Sequence, residues 1–141
     1  MIEEKTFDEI QLGEKASFSK TISETDMYLF AGITGDFNPL HINEGYAKNT
    51  IFKGRIAHGI LTAGLISAVL GTKLPGLGSI YLSQTLKFKA PVRIWDTITA
   101  EIEVVEKIEE KSNVRLKTIC KNQEGRVVID GEAIVKVARR R

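Results

Sequence analysis

This sequence is poor in the residues from which disulfides and metal sites are made. It holds one cysteine, Cys120, so an internal disulfide is excluded and a reducing compartment fits. It holds two histidines, His41 and His58, and neither a C-x-x-C nor an H-E-x-x-H motif, so no metal is expected. It lacks the ~20-residue apolar run that a membrane span needs. The longest candidate, Ile56 to Leu70, is interrupted by His58, Thr62 and Ser67. The opening stretch "MIEEKTFDEI" is acidic with no apolar centre, so a secretory signal is not expected and a cytoplasmic location is. There is no basic stripe interleaved with aromatics, which argues against nucleic acid as a partner. Much of the small basic excess sits in Arg139, Arg140 and Arg141, which read as a short solvated tail.

What remains is an ordinary globular composition: 43% hydrophobic and 27% charged residues over 141 positions, with a net charge of +2. No repeat or linker divides the chain, so one domain is expected over residues 1–141. A short strand is predicted over Glu14 to Ile22, with Ala16, Phe18 and Lys20 sharing a face. Ser23 then reads as a helix N-cap, with Asp26 adding negative charge to the first turn. Met27, Phe30 and Ala31 follow at helical spacing, and Gly32 or Gly35 ends the helix. A second short helix is predicted from Asn43 to Lys48. Ile56 to Lys73 has apolar residues all round, the mark of a helix buried on every side.

From Ser79 the period changes to two. Ile80, Leu82, Gln84, Leu86 and Phe88 fall on one face of a predicted strand. Ile98 to Val104, Val114 to Cys120 and Val127 to Val137 alternate in the same way, and "KNQEGR" reads as the turn between the last two. Cys120 falls on the apolar face, as a small buried residue rather than a nucleophile. Strands with one apolar side fit an antiparallel sheet with one wet face. A long buried helix ahead of them gives an α+β arrangement, with the sheet wrapped round the helix.

The chemistry concentrates in "ITGDFNPLHINEGYA", Ile33 to Ala47. Pro39 fixes its own φ and restricts Asn38 to extended backbone. Gly35 permits a sharp exit from the preceding helix. A turn this stiff can hold the carboxylate of Asp36 near the imidazole of His41, a pair able to exchange protons with one water near neutral pH. The plainer alternative is that Asp36 and Asn38 are turn formers and His41 packs against a neighbour.

This stretch resembles the signature of the MaoC-like dehydratases, the (R)-specific enoyl-CoA hydratases. That signature runs G-D-x-N-P-aliphatic-H with a small residue six positions on, and Gly35, Asp36, Asn38, Pro39, Leu40, His41 and Ala47 fit it. Arg55 to Asp96 is similar to the same family, with a helix opening His58-Gly59 and the turn Phe88-x-x-Pro91-Val92. The resemblance implies the hot-dog fold: a single α+β domain whose antiparallel sheet wraps a long central helix. It also implies a homodimer, with an acyl tunnel at or near the subunit interface.

The activity so implied is reversible syn addition of water to a trans-2-enoyl thioester. The resemblance makes Asp36 and His41 the catalytic pair and the backbone N–H of Gly59 the oxyanion donor. It aligns Ser67, Leu70 and Val135 with residues that shape the acyl pocket. Asn38 is expected to brace the loop through its side chain. His58 is read as a buried helix-start residue, with support of the site as the alternative. Lys87, Lys89 and Arg93 are candidates for the CoA phosphates against the plainer reading of solvated strand residues. The implied partner is an acyl-CoA or acyl-carrier-protein thioester, with no cofactor besides. Two other activities are alternatives on this fold: a hot-dog acyl-CoA thioesterase and a non-catalytic acyl-CoA-binding module. A thioesterase often carries an acid on or near the central helix, and Ile56 to Lys73 has none. A sensor has no use for an Asp–His pair.

Overall fold

Six strands form where the period-two alternation lies, and every pairing between them is antiparallel. The computed structural model describes residues 2–139. In chain order the elements are β1 Lys15–Thr21, α1 Glu24–Thr34, α2 Pro39–Ile42, α3 Glu44–Ala47, α4 Gly59–Thr72, β2 Ile80–Gln84, β3 Lys87–Phe88, β4 Thr97–Ile108, β5 Asn113–Lys121 and β6 Val127–Lys136. The sheet runs β1-β4-β5-β6-β2, with β3 also on β6. Its inner face presents Ile98, Ala100, Ile102 and Val104 of β4, Val114, Leu116 and Cys120 of β5, and Ala133 and Val135 of β6, all buried. Helix α4 lies against that face with Leu65, Ile66, Val69 and Leu70 turned inward. This is the hot-dog arrangement. At ~25 cal/mol per Å² of apolar surface removed from water, burial between helix and sheet stabilises this arrangement.

Local chemistry fixes the element ends. Ser23 accepts a bond from Asp26 N at 3.1 Å and the Asp26 carboxylate accepts from Ser23 N at 2.9 Å, a complete capping box. Gly35, at φ 83°, closes α1 in the left-handed region that glycine tolerates best.

Several expectations need correction. The long helix begins at Gly59, not Ile56, because the backbone ahead of it is held extended: Ala57 N donates to Val92 O at 2.7 Å. It is also not buried on every side. Ile60, Gly64, Ser67 and Gly71 form an exposed stripe along it. The strand from Ser79 is broken into β2 and β3, and Ile80, Leu82 and Phe88 are exposed rather than in the core. Apolar periodicity reports that a face meets something apolar; it does not say that the partner lies in the same chain. Arg139 is exposed, as expected, but it is tied to the domain. Its guanidinium lies over the Phe7 ring at 4.4 Å and pairs with Asp8 and Glu109, while Arg140 and Arg141 lie outside the described residues.

Gly131 of β6 marks where the sheet is tightest. A Cβ there would stand 1.9 Å from the carbonyl oxygen of Thr85, in the link between β2 and β3. Gly131→Ala is therefore expected to push that link off β6. The cost should reach or exceed the ~1–3 kcal/mol typical of overpacking, read as a lower urea midpoint. An unchanged midpoint would show that the link yields freely.

Candidate active site

The turn after α1 is held by its own side chains. Asp36 N donates to Thr34 Oγ1 at 3.2 Å, and Asn38 N donates to Asp36 Oδ1 at 3.2 Å. Asn38 caps α2 by accepting from Leu40 N at 3.0 Å, with Pro39 at the first helical position. Asn38 thus links the turn to the first residues of α2. The short α2, which the sequence reading did not separate, is what aims His41 inward: the residue is buried although Asp36 and Asn38 are exposed.

Two imidazoles meet behind this turn. His41 Nδ1 lies 2.7 Å from the carbonyl oxygen of Ile56. A carbonyl only accepts, so Nδ1 carries the hydrogen and Nε2 is the bare nitrogen of the neutral ring. His58 Nε2 lies 3.1 Å from the Asp36 carbonyl oxygen, and by the same logic His58 is the Nε2–H tautomer. The two ring centroids are 4.0 Å apart at 31°, and Phe30 covers His58 at 4.6 Å. Burial pushes the His58 imidazole below the ordinary histidine range. The Asp36 carbonyl bond opposes that, proximity to His41 adds to it, and the Asp36 charge opposes it.

A carboxylate oxygen of Asp36 and one ring nitrogen from each histidine lie within 4.8 Å of one another. The composition is that of a metal site, but the geometry favours proton transfer. Each histidine has one nitrogen committed to a backbone carbonyl.

Beside His41 opens a cavity of about 480 Å³. Gly59, Ile60 and Thr62 of α4 form one wall, and Phe88 to Val92 with Val128 and Ile129 form another. Asp36 stands outside this lining, at the exposed end of the cluster. The N–H groups in the first turn of α4 have no acceptor within the helix; the ladder starts with Thr62 N to His58 O at 3.3 Å. Gly59 is the first residue of that helix and lines the cavity, so an unpaired donor with the positive end of the helix dipole sits at the wall.

Other candidates fall elsewhere. Leu70 and Val135 are core residues, 2% and 0% exposed, and do not line the cavity. Ser67 lines a separate groove between α4 and β2, which Ile60 shares with the cavity. Lys89 lies at the cavity and is exposed; Lys87 is exposed away from it, and Arg93 turns its guanidinium to Gly54 O at 3.4 Å. Burial raises the Cys120 thiol to about 12, so it is no nucleophile.

Phe88 and Arg55 were missed as site residues. Phe88 had a signal, its place in the Phe88-x-x-Pro91-Val92 turn. Arg55 had none. Its side chain is largely buried, and it bonds Tyr28 at 3.0 Å and pairs with Glu24 at 3.4 Å and Glu44 at 3.3 Å. It therefore ties α1 and α3 to the residue before Ile56, whose carbonyl orients His41.

Comparison with known proteins agrees with this geometry. Residues 8–125 match the family model described as "MaoC like domain". The chain belongs to the MaoC-like family. Among curated relatives, it is 58% identical to an (R)-specific enoyl-CoA hydratase of Rhodospirillum rubrum, over 95% of this chain and 92% of that protein. It is 51% identical to a 3-hydroxybutyryl-CoA dehydratase of Methylorubrum extorquens, over 95% and 85%. Among solved structures, the R-hydratase PhaJ1 of Pseudomonas aeruginosa superposes with a TM-score of 0.93 at 45% identity, covering 99% of this chain and 89% of that one. No helix among the described residues of this MaoC-like chain is long and apolar enough to cross a membrane.

One contact at the cavity wall can be tested without substrate. A Cβ on Gly59 would stand 2.5 Å from Phe88 Cε1. Gly59→Ala should be destabilising, and in a background carrying Phe88→Ala it should cost less, with a coupling of about 0.5–3 kcal/mol. Strict additivity in urea unfolding would show that the ring does not rest on Gly59.

Proposed function

We propose that this MaoC-like protein is an (R)-specific enoyl-CoA hydratase, a hydro-lyase that adds water reversibly to trans-2-enoyl thioesters. The observation that carries the reading is an oriented His41 at an apolar cavity beside a helix N-terminus, with a carboxylate oxygen of Asp36 within 4.8 Å of a nitrogen of its ring. The curated relatives named for the same reaction, over nearly their whole length, support it.

In the forward direction the oxygen of water bonds C3 of the enoyl group, and one proton of that water passes to the Asp36–His41 pair. The pair returns a proton to C2, on the same face, and the product is the (R)-3-hydroxyacyl thioester. His41 Nε2, bare in the neutral tautomer, is suited to one of these transfers and the Asp36 carboxyl to the other. As the double bond shifts, negative charge develops on the thioester oxygen. The Gly59 N–H is the donor for it, a role in which one hydrogen bond is worth about 3 kcal/mol of barrier. The reading requires no cofactor or metal beyond the thioester itself.

The same reading makes the protein a homodimer. The α4 stripe and the exposed Ile80, Tyr81, Leu82 and Phe88 form an apolar face of the kind a second copy covers. Ile60 joins the cavity to the Ser67 groove, so a second copy closing that groove would extend the cavity along α4 as an acyl channel. Lys89 at the cavity is the cation best placed for the CoA phosphates. The lone buried thiol fits a cytoplasmic enzyme.

Crotonyl-CoA tests the reaction. Loss of the enoyl absorbance without free thiol is the expected result. Release of free CoA would make the protein a thioesterase, and no change would leave a binding module. Asp36→Asn and His41→Ala are each expected to lower kcat by roughly 100-fold or more, with the fold intact by circular dichroism. Near-normal turnover in either would remove the pair.

A further inference from the structure

His58 is a costly residue to bury. It is 2% exposed, and its Nδ1 is sealed from solvent with no hydrogen-bond partner among the described residues. An unsatisfied buried acceptor is destabilising, a penalty that an apolar side chain of similar shape would avoid. It also gives α4 no side-chain cap, although it holds the N-cap position. A helix-start role does not explain it.

Its contacts do. Nε2–H reaches across to the backbone carbonyl of Asp36, and the ring face lies against His41. The Phe30 ring of α1 also packs against it, with centroids 4.6 Å apart. One side chain therefore touches both members of the reacting pair, through the main chain of one and the ring of the other. Asp36 is exposed, and the bonds within its turn join only near neighbours in sequence. His41 and Leu40 tie the far end of the turn to Ile56, whereas the bond from His58 holds Asp36 itself and ties it to the first residue ahead of α4, and so to Gly59.

We infer that His58 is a positioning residue, an uncharged imidazole that pins the Asp36 carbonyl and backs the His41 ring so that carboxylate, imidazole and Gly59 N–H keep one geometry. It donates no proton to substrate, since its one N–H is committed to Asp36. It must also stay neutral while His41 gains a proton, because two stacked imidazolium rings repel. The titratable groups facing it are His41 and the Asp36 carboxylate; from α1 it meets the Phe30 ring. This inference rests on the hydratase reading for its kinetic consequence, but the hydrogen bond itself can be observed without substrate.

The experiment has two arms. Glutamine and methionine are near-isosteric, and only glutamine keeps an N–H donor at the reach of Nε2. His58→Met should lower kcat on crotonyl-CoA by roughly 100-fold, the scale of a small misplacement, with KM and melting temperature little changed. His58→Gln should restore most of that kcat. Equal losses in both variants, or full activity in His58→Met, overturn the inference. The second arm is ¹⁵N NMR of the imidazoles, simple in a chain with two histidines, with His58→Gln providing the assignment. At neutral pH His58 should be the neutral Nε2–H tautomer, and it should gain a proton only below the ordinary histidine range. A charged His58 at neutral pH, or the Nδ1–H tautomer, overturns the inference. A wild-type protein that fails to hydrate crotonyl-CoA sinks the hydratase reading instead, and the NMR arm still decides whether His58 holds Asp36.

Discussion

The hydrogen bond from His41 Nδ1 to the Ile56 carbonyl, at 2.7 Å, is the constraint on which the site depends. It selects the tautomer, leaves Nε2 as the bare nitrogen, and joins the Asp36 turn to the segment entering α4. The rest of the local structure serves that bond. Ala57 N is held by Val92, so the carbonyl of Ile56 belongs to a fixed backbone. Arg55, beside it, is bound to α1 and α3. A loop carbonyl free to move would select neither a tautomer nor a ring orientation.

Two short helices and one long one therefore converge on a small volume. The capping box of α1, the Asn38 cap of α2 and the Asn43 cap of α3 are each local and modest, about 1 kcal/mol apiece. Together they leave the chain little freedom between Ser23 and Ala47. The sheet adds the other half of the site. It carries Phe88 to Gly59 and sets Val128 and Ile129 behind the cavity, so the wall facing the pair is built from residues far away in sequence. The polar end of the site is assembled from neighbours in sequence, the apolar end from strands.

That division decides how well each part was legible. Asp36, Asn38, Pro39 and His41 were readable because a stiff turn has a composition, and because a motif resembling a known family runs through it. The strands were readable from alternation alone. Several failures concern apolar residues whose partner the pattern does not name. Ile60, Ile80, Leu82 and Phe88 look like core residues by pattern, and they are exposed in one copy of the chain. Leu70 and Val135, aligned with a pocket, pack instead between α4 and the sheet, away from the cavity beside His41. Periodicity registers apolar surroundings without saying whether they are core, ligand or a second copy.

By itself the sequence determined the local geometry: which residues cap, which turn, which alternate, and that an acid and an imidazole share one rigid bend. These depend on neighbours a few positions apart, and propensity and hydrogen bonding act at that range. The tertiary structure alone decided that His58 stands against His41, that Ile56 offers the carbonyl and that Phe88 lies over Gly59. Those contacts join residues from 15 to 29 positions apart. Their existence depends on how α4 packs against the curved sheet, which no short stretch of the chain encodes.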